Sequence, residues 1–254
     1  MYWQLKAKIK LKRMNKIFTI ILAICSLGVF AQQTVEFKST DALMITADEY
    51  IISENARYVL LFHQARSSRG EYKDIALKLN KLGFNSVAID LRSGDESNFV
   101  VNETAKKAKE KKLPASYLEA DKDIQAAIIY YFNKSKKPLI LFGSSYSASL
   151  VLKDAVKNDK ILAVVSFSPG EYLTTEGVTL KKLLINFDKP VFAASTAGEF
   201  DTMNDMLSEI KSVDKVMFRP QDGGVHGARA LWKESDHSKE CWLELTMFLS
   251  KFKN

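Results

Sequence analysis

The sequence predicts an α/β fold in which a mostly parallel central sheet is flanked by helices, within a single domain spanning residues 32–254. Three observations predict it. Wholly apolar runs such as Ile161-Leu162-Ala163-Val164-Val165 suit strands buried on both faces of a parallel sheet. These runs alternate with longer amphipathic segments, the punctuation of βα units. No repeat or low-complexity tract interrupts the series, and the five prolines fall between or at the edges of periodic segments.

Taken in order, residues 35–38 and 43–47 read as a strand pair joined through Ser39-Thr40-Asp41, and their partial alternation of apolar and polar residues marks them as outer strands. Strand 58–62 opens the βα series, followed by a helix over 71–82 and a strand over 84–90. A helix over 117–132, a strand over 138–142, a helix over 145–156 and a strand over 161–168 continue it. Strands 191–195 and 216–218 bracket a helix over 201–210, and helices over 228–232 and 239–252 close the chain. The stretch 92–114 is long for a connection and rich in Lys and Glu, so it reads as a surface excursion or partial lid with its charges in solvent.

Residues 1–31 stand apart. Lys6, Lys8, Lys10, Lys12, Arg13 and Lys16 precede an uncharged, mostly apolar run over 17–30, which is the order of a secretory signal peptide, with Val29 and Ala31 at the −3 and −1 positions for cleavage before Gln32. The run falls short of the ~20 apolar residues of a stable span. Export to the periplasm or medium is expected, with no membrane attachment after cleavage; an uncleaved anchor, or a start at Met14, is the alternative. Bulky Ile24 argues against lipidation at Cys25.

The leader also carries the charge. Of 37 basic residues its six account for the excess, leaving 31 against 30 acidic ones, so the net charge falls from +7 to +1. Such a chain has no large positive surplus to neutralise phosphates, which argues against nucleic acid as a partner. Without Cys25, Cys241 is alone, so no intramolecular disulfide can form; its setting beside Trp242 and Leu243 suits a helix packing face. Three scattered histidines and one cysteine form no metal-ligand pattern, and no cofactor is expected.

The chemistry is concentrated at predicted strand ends, where open parallel sheets bind ligands. Gly143-Ser144-Ser145-Tyr146-Ser147 follows an apolar strand and opens a helix, the setting of a G-x-S-x-G turn that presents Ser145 as a nucleophile. Ser147 replaces the second glycine, though with Ala148 it keeps the turn small. The alternative is a serine-rich helix cap. Of the three histidines, His226 lies in the flexible loop Gly223-Gly224-Val225-His226-Gly227 and is the candidate general base. His237, in Glu234-Ser235-Asp236-His237-Ser238, suits a capping or surface role, and the His63 side chain a packing or hydrogen-bonding one. Behind strand 191–195 come Glu199 and Asp201; Glu199 is favoured as the acid and Asp201 is the alternative, better suited to cap the next helix. His63-Gln64-Ala65 ends the first central strand, and the amides of Ala65 and Tyr146 are placed to form an oxyanion hole.

Through His63-Gln64-Ala65 with Arg69-Gly70-Glu71-Tyr72, the Ser145 turn and the His226-Gly227 loop, the chain resembles the α/β-hydrolase superfamily, and more loosely its dienelactone hydrolase-like and esterase-like members, over most of 58–252. The resemblance implies that fold, a Ser145 nucleophile, a His226 base and acyl transfer through a covalent intermediate on a small-molecule substrate. A serine hydrolase of the carboxylesterase kind is the expected activity. A non-catalytic binding protein of the same fold and a peptidase or amidase using the same residues are the alternatives.

Overall fold

The computed structural model describes residues 32–173 and 177–253; the predicted leader, residues 1–31, lies outside them. Among the described residues, ten strands and seven α-helices follow one another in chain order. Strands β1 (Gln33–Lys38) and β2 (Met44–Tyr50) form the predicted outer pair, with β2 running further than expected. Then come β3 (Tyr58–Phe62), helix α1 (Lys73–Lys81), β4 (Asn85–Ile89), the two-residue strands β5 (Glu96–Ser97) and β6 (Val100–Val101), and α2 (Glu103–Glu110). Helix α3 (Asp121–Ser135), β7 (Leu139–Ser144), α4 (Tyr146–Ala155), β8 (Ile161–Phe167) and the short α5 (Leu180–Leu183) follow. The chain ends with β9 (Val191–Ala194), α6 (Phe200–Met206), β10 (Lys215–Phe218) and α7 (Ser238–Ser250).

Eight strands make one sheet in the order β1-β2-β4-β3-β7-β8-β9-β10. β1, β2 and β4 pair antiparallel, and every pairing from β4 to β10 is parallel. The continuous apolar runs are explained by the two layers that cover the sheet. Leu60, Phe62, Val87, Ile89, Leu141, Val164 and Val191 face Ile124, Ala127 and Ile128 of α3 and Leu150 and Val151 of α4. Their neighbours at odd register, Val59, Leu61, Ala88, Ile140, Phe142, Val165 and Phe192, face Ile75 and Leu79 of α1 and Trp242, Leu245 and Phe248 of α7. Each central strand therefore buries both of its period-two faces, which removes the polar alternation seen in β1. Cys241 lies in the second layer, buried as expected of a packing residue.

Several boundaries differ from the sequence expectation. The helix expected from 117 begins at Asp121, because Tyr117 lies in the preceding turn with its ring stacked on Tyr146 at 4.4 Å. The first turn of the helix expected over 71–82 is a separate 3-10 turn, Arg69–Tyr72, capped by the Ser68 hydroxyl, which accepts from the Gly70 amide at 3.1 Å. The helix expected over 228–232 is likewise a 3-10 turn, Gly227–Leu231. The helix expected over 201–210 stops at Met206.

The largest correction concerns 92–114. It folds into the β5–β6 hairpin and α2, and buried polar residues anchor it. Arg92 is fully buried between Asp123, 2.7 Å away, and Asp41, 2.6 Å away. Asn102 caps α2 by accepting from the Ala105 amide at 2.8 Å and donates to the Leu91 carbonyl at 2.9 Å. Thr104 accepts from the Thr46 amide at 2.9 Å. Asp95, Glu96, Lys106 and the run from Lys109 to Lys112 are exposed, as the composition suggests.

Candidate functional site

The parallel register lines up the strand ends. Phe62 of β3 stands opposite Gly143 of β7, Ser144 opposite Phe167 of β8, Phe167 opposite Ala194 of β9, and Ala194 opposite Phe218 of β10. The loops after these residues carry Ala65, Ser145, Ser168, Glu199 and His226, so residues from five loops converge beyond one edge of the sheet.

Ser145 occupies the turn between β7 and α4 with φ 60° and ψ −124°. A non-glycine residue avoids positive φ unless its surroundings enforce it, and such strain is concentrated at functional sites. Here the surroundings are tight. The Ser145 amide donates to the Phe167 carbonyl at 2.8 Å, and a Cβ on Gly143 would lie 2.5 Å from Ala148 Cα, so glycine is required there. At the second glycine position the Ser147 hydroxyl accepts from the Ser144 amide at 2.8 Å and lies 2.7 Å from the Phe62 carbonyl. The departure from the motif thus replaces a featureless residue with one that braces the turn against β3.

His226 lies beside Ser145. Its Nε2 is 2.8 Å from Ser145 Oγ, and its Nδ1 is 2.5 Å from Glu199 Oε1. The second Glu199 oxygen accepts from the Ser168 hydroxyl at 2.9 Å and the Thr196 amide at 3.2 Å. The hydrogen bond from His226, reinforced by that from Ser168, outweighs burial and lowers the Glu199 carboxyl to about 2. An ionised Glu199 keeps the ring proton on Nδ1 and leaves Nε2 free to accept from Ser145.

Asp201, the alternative acid, is exposed in the first turn of α6, where its charge complements the helix dipole; the carboxylate on His226 is that of Glu199. Ala65 is half-buried in the loop after β3, and Tyr146 opens α4 with a buried ring whose hydroxyl lies 2.6 Å from Ser93 Oγ. The His63 ring is fully buried: Nδ1–H donates to the Gln64 carbonyl at 2.8 Å and Nε2 accepts from the Leu91 amide at 2.9 Å, with burial lowering its pKa. It fastens the Ala65 loop to the end of β4. His237 sits ahead of α7 between Asp222 and Glu240, both 2.9 Å away, and these carboxylates raise its pKa.

Two residues at the site went unread in the sequence. Ser168 bridges the Glu199 carboxylate and the Gly227 amide, which donates to it at 3.0 Å. Its only sequence signal is its place as the last residue of the expected strand 161–168, which in the structure stops at Phe167. Ser144, hidden beside Ser145, accepts from the Ala228 amide at 2.8 Å. Among the described residues no group of three or more His, Cys, Asp or Glu side chains is placed to hold a metal ion.

Neither a protein-family model nor a curated protein sequence matches the chain. Solved structures do. An esterase from Pyrococcus furiosus superposes with a TM-score of 0.66 at 15% identity, covering 87% of this chain and 93% of its own. A dienelactone hydrolase from Anabaena variabilis gives 0.66 at 14%, covering 88% and 99%. A monoacylglycerol lipase from Paleococcus ferrophilus gives 0.57 at 15%, covering 87% and 99%. At such identities the likeness carries architecture alone. Together with the strand order and the serine turn at the end of β7, it shows that this chain has the α/β-hydrolase fold.

Proposed function

We propose that the protein is a serine hydrolase that cleaves a small ester or related acyl compound through an acyl-enzyme on Ser145. The observation that carries the reading is the unbroken hydrogen-bonded line from Ser145 Oγ through His226 to Glu199, ending on a serine held at positive φ. In that geometry Nε2 takes the hydroxyl proton as Oγ attacks the carbonyl carbon, and Glu199 stabilises the imidazolium. The amides of Ala65 and Tyr146 receive the developing oxyanion, and such a donor contributes ~10²–10³ in rate. His226 returns the proton to the leaving alcohol. A water then attacks the acyl carbon, giving a proton to His226, and His226 passes it to Ser145 Oγ as the acyl–oxygen bond breaks and the acid is released.

Esters are the first substrates to try because neighbours of the same fold are named an esterase and a dienelactone hydrolase, and amides are the competing class. The reading extends to export, supported by the basic-then-apolar order of residues 1–31; N-terminal sequencing of the processed chain should give Gln32. The central test is labelling with a fluorophosphonate. The intact protein should incorporate one equivalent and Ser145→Ala none; an unlabelled wild type, or equal labelling of the variant, would overturn the assignment. A parallel screen of aryl esters and anilides should show hydrolysis of the esters, abolished by His226→Ala.

A further inference from the structure

Glu71 is a buried carboxylate to which the reaction above assigns nothing. Its side chain is 1% exposed, in the 3-10 turn that leads into α1. Oε2 accepts from the Gln64 amide at 3.0 Å and Oε1 accepts from the Ser144 hydroxyl at 2.7 Å. Gln64 directly precedes Ala65, and Ser144 directly precedes Ser145. Ser144 Oγ in turn accepts from the amide of Ala228, two residues past His226. One carboxylate therefore joins the loops that carry the oxyanion amide, the nucleophile and the base.

The surroundings leave this junction little room to relax. Tyr72, next in sequence, donates to the Phe62 carbonyl at 2.7 Å, and the Glu71 carbonyl accepts from Trp232 Nε1 at 3.0 Å. Gly227, at φ +73°, lies so close that an added Cβ would fall 2.6 Å from Ser144 Oγ and 2.7 Å from Gln64 Oε1. A carboxylate accepts at both oxygens at once, which lets it take two donors that face the same point from different loops; an amide in its place would turn a donor toward one of them. Burying such a charge is costly unless donors surround it, so its retention at this junction calls for a reason beyond packing.

We infer that Glu71 is a positioning residue that sets the distance between the Ala65 amide, Ser145 Oγ and His226, acting through Gln64, Ser144 and Ala228 without touching substrate. The inference rests on the hydrolase reading above. A misplacement of about 1 Å can cost on the order of 10² in rate, so the effect should appear in the acylation rate constant.

The test follows fluorophosphonate labelling over time and separates rate from amplitude. In Glu71→Gln and Glu71→Ala the second-order rate constant should fall by about 10- to 100-fold. The amplitude per folded protein and the KM for an aryl ester should stay near wild type. A role confined to folding would lower the amplitude and leave the rate constant of the remaining protein unchanged, which overturns the inference. Should Glu71→Ala fail to fold, Ser144→Ala and Gly227→Ala strike the same junction from its other sides, and each should slow labelling. Ser144→Ala combined with Glu71→Gln should cost little more than the worse of the two, whereas multiplicative losses would mean the residues act separately. Wild-type rates throughout the series would sink the positioning role and leave the hydrolase reading standing; an unlabelled wild type would sink the reading and the inference with it.

Discussion

Charged side chains on this sheet are held in two opposite ways. Arg92 and Arg69 are buried or nearly so, and each meets at least two carboxylates: Asp41 and Asp123, with Glu119 at 3.9 Å, for the first, Asp48 and Asp90 for the second. His226 and Glu199 are each 38% exposed and joined in a single line of contacts that ends on Ser145. Buried guanidinium groups cannot change protonation, and redundancy protects them from being left unpaired. A proton-transferring line must shift its protons within each cycle, so a titratable imidazole and access to water suit it. The difference separates charges that fix the fold from charges suited to chemistry.

Breaking the functional line should have the largest effect. Glu199→Gln should lower kcat for an aryl ester by about 10³–10⁴. A loss below tenfold would place the orienting acid elsewhere. Breaking a structural cluster should act on stability. Arg92→Leu leaves Asp123 buried without its partner and should destabilise the protein by roughly 3–5 kcal/mol, measured by urea unfolding.

The two kinds of carboxylate should also respond to acid in opposite directions. Glu199 titrates at about 2 in the folded protein, below its ordinary 4.5, so its stabilising contribution is complete above pH 4.5 and disappears as pH falls toward 2. Asp90 is pushed by burial from 3.8 to about 6, although Arg69 opposes the shift. The folded state then holds the extra proton, and the Asp90 contribution declines as pH rises from about 4 to 6. Urea midpoints from pH 3 to 7 should show Glu199→Gln flattening the acid side and Asp90→Asn flattening the pH 4–6 interval. The smallest effect is expected for Asp201→Asn, which should stay within about twofold of wild-type activity because an exposed first-turn carboxylate contributes little.

The legible parts of the sequence were the local ones. Apolar runs gave the central strands, and the serine turn could be recognised because strand, turn and helix are contiguous through 139–155. Glu199 was favoured over Asp201 by its place behind the strand end, with Asp201 left open, and the carboxylate on His226 is that of Glu199. Arg92, Asn102 and Thr104 were misread as part of a solvated excursion, because their burial depends on Asp41, Asp123, His63 and Thr46, 31 to 58 positions away. Glu71 and Ser168 escaped for the same reason. The Glu71 contact with Ser144 spans 73 positions and the Ser168 contact with Glu199 spans 31, and no spacing rule announces either. Tyr117, stacked on Tyr146, lies in the turn ahead of a helix that periodicity alone would have started there.

Cys241 offers a clock for the molecule's opening. It is the one cysteine among the described residues, and it faces the sheet from α7 beside Trp242 and Leu245, with burial pushing its thiol up to about 12. A thiol reagent in solution can reach it only when the C-terminal helix lifts away, so the reaction rate reports how often that layer detaches. Because α7 covers the sheet face opposite α4, such measurements would read out breathing of the scaffold separately from events at Ser145.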